Sequence, residues 1–221
     1  MIQVKNISKK YIQYDEEVEV LKGLSLDVKE GESVALLGHS GSGKSTLLNC
    51  LGLLDKPDSG DILIDGQSML QKSEADRAKF RLSKLGFVFQ FHHLIPELTT
   101  FENIMLPASL AKNNAEDRAV KLLDRVGLSR KKDALTWQLS GGEQQRVALI
   151  RGLINSPKVL FTDEVTGNLD SLRSLEIIEM LGELRESEDL TIVSVTHNEE
   201  HAKHYNQAYR LVDGVLQSIA R

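Results

Sequence analysis

A chain of 221 residues, 41% hydrophobic and 27% charged, is long enough for one large α/β domain and has the composition of a globular protein, not of a disordered or fibrous one. Its formal net charge of −5 argues against a nucleic-acid binder, whose footprint is a basic patch or a high pI. A single cysteine, Cys50, excludes an internal disulfide and fits a reducing compartment; lying in an amphipathic run, it reads as a small core hydrophobe.

In chain order, residues 1–7 alternate apolar and polar side chains and predict a strand, with no leader sequence before them. No apolar run approaches the ~20 residues that span a bilayer, so the expectation is a cytoplasmic chain that reaches any membrane through a partner. Strands are predicted at 24–28 and 33–37, a helix at 44–54, a turn-rich stretch at 55–60, and a strand at 61–66 that ends in an Asp-Gly turn. A charged helix at 73–85 and a short strand at 86–90 follow. Residues 91–155 read as mostly helical. Strand signals return at 158–162 and 190–196 around a helix at 171–185, and 208–218 reads as a hairpin. Strands alternating with helices imply a mostly parallel sheet, with the helical middle as an inserted subdomain.

The run Gly38-His39-Ser40-Gly41-Ser42-Gly43-Lys44-Ser45, with Thr46 next to it, matches G-x-x-x-x-G-K-[ST] over its eight positions, between an apolar strand and a helix, the context that confirms a phosphate cradle. Glycines let the backbone curl until its N–H groups face phosphate oxygens, and the helix beginning near Lys44 adds its positive end. Lys44 can reach the β- and γ-phosphates, and Ser45 can ligate Mg²⁺.

An apolar strand ends in Asp163-Glu164. Ligands bind at the carboxyl ends of parallel strands, so Asp163 is expected near Ser45, holding Mg²⁺ directly or through water, with Glu164 left to orient or deprotonate an attacking water. Leu139-Ser140-Gly141-Gly142-Glu143 is a second small-residue turn opening a helix. It is either a plain helix cap or a second anion cradle, serving a nucleotide bound to another subunit. His197 ends a further buried strand, where a γ-phosphate contact is plausible.

These pieces, in this order, resemble the ATP-binding cassette (ABC) ATPase family, and the resemblance covers essentially the whole chain. It implies a P-loop NTPase (RecA-like) α/β core at 1–90 and 157–221, an antiparallel β edge near the N-terminus, and a helical subdomain at about 91–156 carrying the signature turn. It implies Mg²⁺-ATP hydrolysis in a head-to-tail dimer that closes over two ATP molecules, at the cytoplasmic face of an inner membrane and coupled to an integral membrane subunit. Tyr11 resembles the aromatic that stacks on adenine, with Tyr14 as the fallback. Gln90 resembles the glutamine that senses Mg²⁺, and Asn168-Leu169-Asp170 the loop that communicates across the dimer. Lys44, Glu164 and His197 take the catalytic roles, the last as the switch histidine. Ser140, Gly141, Gly142 and Glu143 take the signature's.

Within the family, residues 87–103 are similar to the branch that holds the ATPases of bacterial lipoprotein release, of macrolide and peptide export and of cell division. Three positions depart from the family's habit: Val165 stands where Pro is usual, Asn198 where Asp is common, and Gly152 in a helix where Ala is usual. Cassette proteins that act on DNA carry a long coiled coil, and those that act on ribosomes carry two cassettes; this chain has neither, so no nucleic-acid partner is expected. The apolar residues among Phe91, His92, His93, Leu94 and Ile95 either pack inside the helical subdomain or form an exposed patch where the membrane partner docks.

Overall fold

The structure, a computed structural model, describes residues 1–167 and 169–219. The chain divides into two compact units, Met1–Arg81 together with the chain from Thr191 onward, and Leu82–Leu190.

The first unit opens with β1 (Ile2–Gln13) and β2 (Glu16–Val28), paired antiparallel around Tyr14-Asp15. Both turn residues take positive φ (50° and 64°), the backbone of a tight hairpin turn. These strands run well past the predicted 1–7 and 24–28: residues 16–19 are exposed on both faces, and in 8–13 the inward position 9 is a lysine, so neither stretch carries a period-2 apolar signal. Ile2, Val4 and Ile7 point inward. Next come β3 (Ser33–Leu37), buried along its whole length, and α1 (Lys44–Leu51). Then β4 (Ser59–Ile64), the turn at Asp65-Gly66, β5 (Gln67–Ser68) and α2 (Glu74–Lys84) follow. One sheet has the order β2-β1-β4-β5, all antiparallel.

The second unit contains β6 (Leu85–Val88), α3 (Thr100–Leu110), α4 (Glu116–Arg125), α5 (Gly141–Leu153), β7 (Val159–Asp163) and α6 (Ser171–Glu188). Strands β6 and β7 pair parallel with Val88 opposite Thr162, and Phe87 stacks on Phe161 at 5.6 Å. Thus β6, β7 and α6 fall in the same compact unit as α3, α4 and α5. A close approach explains part of it. A Cβ on Gly86 would lie 2.4 Å from the Gly152 carbonyl, so α5 lies directly on β6. That contact also accounts for glycine at 152: a Cβ there would meet the Phe87 carbonyl at 3.0 Å.

The chain re-enters the first unit with β8 (Thr191–Val195), α7 (Glu199–Ala202), β9 (Gln207–Val212) and β10 (Val215–Ser218). There the order is β10-β9-β3-β8, with β3 parallel to both neighbours and β10 closing an antiparallel hairpin on β9. Among the described residues no helix is long and apolar enough to cross a membrane.

Candidate nucleotide site

In the first unit β3 delivers the chain to Gly38, and the loop 38–43 turns it into α1. The loop needs glycine at two points. A Cβ at Gly38 would sit 2.5 Å from Ser42 Oγ and 2.7 Å from the Leu211 carbonyl. Gly43 has φ 100° and lies against Val20. As N-cap of α1, Gly43 brings no side chain to the helix's first N–H groups, and the first turn carries no acidic residue. Helices α3, α5 and α6, by contrast, are capped by Thr99, Ser140 and Asp170 side chains. The start of α1 thus presents the helix's positive end with no side-chain cap from Gly43 and no carboxylate in its first turn, an arrangement that suits an anion.

Two further observations fit a phosphate ligand here. Lys44 is only 7% exposed, yet its ammonium is pinned by the Gly38 and His39 carbonyls at 2.9 and 2.8 Å, two of its three donor directions. Ser42 is 3% exposed and its Oγ has no hydrogen-bond partner, a state that costs on the order of 1–3 kcal/mol unless a ligand satisfies it. Ser45 is exposed and Thr46 half-buried on the first turn. His39 donates from Nδ1 to the Ser40 carbonyl at 2.7 Å, which sets its tautomer.

The parallel register Leu36↔Val195 puts the ends of β3 and β8 side by side. His197, two residues past β8, and His39 consequently line one cavity of about 350 Å³ with Gly38, Glu199 and Arg210. Tyr11 is half-buried in the same unit. Its hydroxyl donates to Asp55 Oδ2 at 2.7 Å and is hydrogen-bonded by Thr46, next to Ser45. Tyr14, at the hairpin turn, is fully exposed, so Tyr11 is the aromatic that adjoins the cradle.

The second unit gathers the other expected residues into two groups. Gln90 lies two residues past the end of β6, and Asp163 ends β7 beside it, with Glu164 next. A Cβ on Gly167 would lie 2.8 Å from Gln90 Nε2, so the amide rests on the loop that follows Glu164. Glu164 has φ 45°, an uncommon conformation for a non-glycine residue and one found disproportionately at functional sites. Its carbonyl accepts from the Gly167 N–H at 2.9 Å. Val165 is buried and fills a core position in that turn.

The other group is the signature turn. Ser140 caps α5 in a reciprocal box: its Oγ accepts from Glu143 N, while the Glu143 carboxylate accepts from Ser140 N and Oγ at 2.8 and 2.9 Å. The backbone N–H of Ser140 holds the Glu143 carboxyl below its ordinary pKa, against an opposing contribution from burial. The plain cap is thus present, made with the chain's own carboxylate. Gly142 adjoins Arg173 of α6, whose N–H is capped by Asp170 at 3.0 Å. Asn168, expected beside Asp170, lies outside the described residues. At Asn198, the side chain caps α7 by accepting from the N–H groups of Glu200 and His201, as an Asp there would.

The segment 91–98 forms no helix. Arg151 donates to the His92 and His93 carbonyls at 2.6 and 2.7 Å, and the buried Asn103 amide clamps Ile95, Leu98 and Thr99. Phe91 is 67% and Ile95 40% exposed and Leu94 is half-buried, so this stretch presents apolar surface.

Sequence reading missed Lys9 and Asp55, which hold Tyr11. They lie two and 44 positions from it, and no local pattern links them. No cluster of three or more His, Cys, Asp or Glu able to hold a metal occurs among the described residues. An ion accompanying a nucleotide would take its other oxygens from the phosphates.

A profile described as ABC transporter matches residues 21–167. The lipoprotein-releasing system ATP-binding protein LolD of Francisella tularensis subsp. holarctica (strain OSU18) is 44% identical over 223 residues, covering 99% of this chain and 96% of that protein. The LolD proteins of Bdellovibrio bacteriovorus and Geobacter metallireducens are 45% and 46% identical, each over at least 96% of both chains. Among solved structures, the dimeric post-hydrolysis state of the ATP-binding cassette MJ0796 bound to ADP and Pi superposes with a TM-score of 0.90 at 38% identity, covering 100% of each chain. The cbiO1 protein of Clostridium perfringens gives 0.86 at 30%, over 98% of this chain and 86% of that one.

Proposed function

The chain belongs to the ABC transporter family as an ATP-binding, ATP-hydrolysing subunit, and on that premise we propose that it powers lipoprotein release from a bacterial inner membrane through a separate membrane-embedded partner. The observation that carries the cargo reading is identity of 44–46% to LolD proteins over nearly the full length of both chains. The chain works at the cytoplasmic face, peripheral to the bilayer, since ATP is there and the partner supplies the spans.

Each proposed role follows from the local geometry. The loop 38–43 and the uncapped start of α1 receive the β- and γ-phosphates, with the remaining Lys44 donor on the oxygens that gain charge in the transition state. Mg²⁺, when bound, neutralises that charge. The Ser45 hydroxyl, the Asp163 carboxylate and the Gln90 amide are the oxygen donors that the family resemblance implies for it. Tyr11 carries the adenine. Glu164 takes a proton from the water that attacks the γ-phosphorus, as the bond from the γ-phosphorus to the bridging oxygen breaks and ADP leaves carrying that oxygen and the bond's electron pair. His197 holds the γ-phosphate edge. Ser140 and the N–H groups of the signature turn serve a nucleotide held by a second copy, with Asp170 and its neighbours in the contact between copies; a solved relative is a dimer bound to ADP and Pi.

Reconstitution tests the reading. Vesicles holding the membrane partner and a lipoprotein, given this chain and Mg-ATP, should release the lipoprotein, and the Lys44→Ala chain should release none. A complex that assembles and hydrolyses ATP while the lipoprotein stays in the bilayer would sink the cargo assignment and leave the ATPase standing.

A further inference from the structure

The phenol of Tyr11 is held from three sides. Its hydroxyl donates to Asp55 Oδ2 at 2.7 Å and accepts from the Thr46 hydroxyl, and the Lys9 ammonium lies over the ring, 5.1 Å from its centroid. Lys9 is itself fixed, being 9% exposed and bonded to Asp55 Oδ1 at 2.9 Å and to the Lys56 carbonyl at 2.8 Å. The Asp55 carboxylate also accepts from the Lys56 N–H at 2.7 Å. Burial opposes ionisation of Asp55, but Lys9, Tyr11 and the Lys56 N–H outweigh it and hold the carboxyl below its ordinary pKa. The anchor is therefore a permanent charge pair.

Its placement ties two ends of one helix together. Thr46 stands in the first turn of α1, beside the phosphate cradle, and Asp55 follows the helix's end, where its N–H and that of Leu54 bond the Asn49 carbonyl. With one face of the ring under Lys9, a planar group can stack only on the other. A ring so fixed loses little freedom when a base binds, and lost freedom is a main cost of binding.

We propose that Asp55 and Lys9 are positioning residues for the nucleotide base: they fix the Tyr11 ring relative to the cradle, and so set affinity for a purine triphosphate over a bare triphosphate. The inference rests on the reading of Tyr11 as the adenine platform. Base-on-aromatic stacking is the kind of contact at stake, and it depends on the plane being in place.

The test compares Mg-ATP with Mg-tripolyphosphate, which has no base, using the full-length chain. Asp55→Ala should raise KM for ATP by about tenfold, the loss of a charge-assisted hydrogen bond, with kcat within about twofold. Tripolyphosphate affinity should not change. Because Asp55→Ala strands a buried lysine and can unfold the chain, Tyr11→Phe is the second variant; it keeps the ring and the Lys9–Asp55 pair and should raise KM for ATP about fivefold. Tyr11→Ala reads the platform itself. If it weakens ATP while Tyr11→Phe and a folded Asp55→Asn behave as wild type, the anchor has no positioning role and the inference falls alone. Should Tyr11→Ala leave the ATP-to-tripolyphosphate ratio unchanged, the platform reading falls with it. Equal weakening of both ligands by the Asp55 variants would place their effect on the cradle and overturn the proposal.

Discussion

At the residue scale, the proposed chemistry depends on Glu164, which follows Asp163, the last residue of β7. Its left-handed φ of 45° persists because the Gly167 N–H bond, the buried Val165 and the Gln90 amide against Gly167 over-determine the turn. A general base contributes typically a hundred- to ten-thousandfold, so Glu164→Gln should keep ATP affinity and lose about that much turnover. Calorimetry with Mg-ATP and a steady-state phosphate assay check both halves, and sizing chromatography should show an ATP-locked dimer. A variant turning over at the wild-type rate as a monomer would remove Glu164 from the mechanism. Lys44 and Ser42 carry the complementary argument: a pinned buried ammonium and an orphaned buried hydroxyl are tolerated where a ligand completes them.

At the scale of elements, the helix starts divide by what caps them. Only a glycine precedes α1, whereas α5 is closed by the Ser140–Glu143 box. Glu143 titrates below its ordinary value, so its contribution is fully present above the unfolded carboxyl pKa of about 4.3 and is lost as pH falls through the folded value. Glu143→Ala should therefore cost about 1 kcal/mol at pH 7, and the gap in melting temperature to wild type should shrink toward pH 4. A gap constant across that range would mean that the carboxylate charge does not support the cap. The segment 91–98 makes the second prediction at this scale. Arg151 and Asn103 hold its backbone while Phe91 and Ile95 stay exposed, so Phe91→Glu should melt as wild type, keep basal ATPase activity, and lose co-purification with the membrane partner. A marked drop in melting temperature would assign Phe91 to the fold, and retained co-purification would put the docking surface elsewhere.

At the scale of the molecule, one chain carries one phosphate cradle and one signature turn, in different compact units. If the two act across a dimer, a Lys44→Ala chain mixed with a Ser140→Arg chain forms hetero-dimers with one complete site and one empty of both parts. The mixture should then hydrolyse ATP while neither pure variant does. Full activity of pure Ser140→Arg would reject the arrangement outright. Native mass spectrometry confirming hetero-dimers guards the interpretation when activity is low.

What the sequence determined by itself is the chemistry that needs only neighbouring residues. A phosphate cradle is made by eight consecutive positions, 38–45, and the Asp163-Glu164 pair by the end of one strand. Backbone direction and helix polarity are set within such a span, so the run could be read without a fold. Strand ends at 33–37 and the turn at Asp65-Gly66 were legible for the same reason. The hairpin of β1 and β2 extends past its predicted ends, because register shifts between Val4 and Lys10, a lysine at the inward position 9 and the exposed residues 16–19 erase the alternation that marks a strand. Only the tertiary structure decided the contacts that join distant positions: Tyr11 to Asp55, Gln90 to Gly167, and Gly86 to Gly152. The last of these turns a glycine that weakens its helix into the condition for α5 to lie on β6. Packing between elements depends on three-dimensional distance, which has no period along the chain.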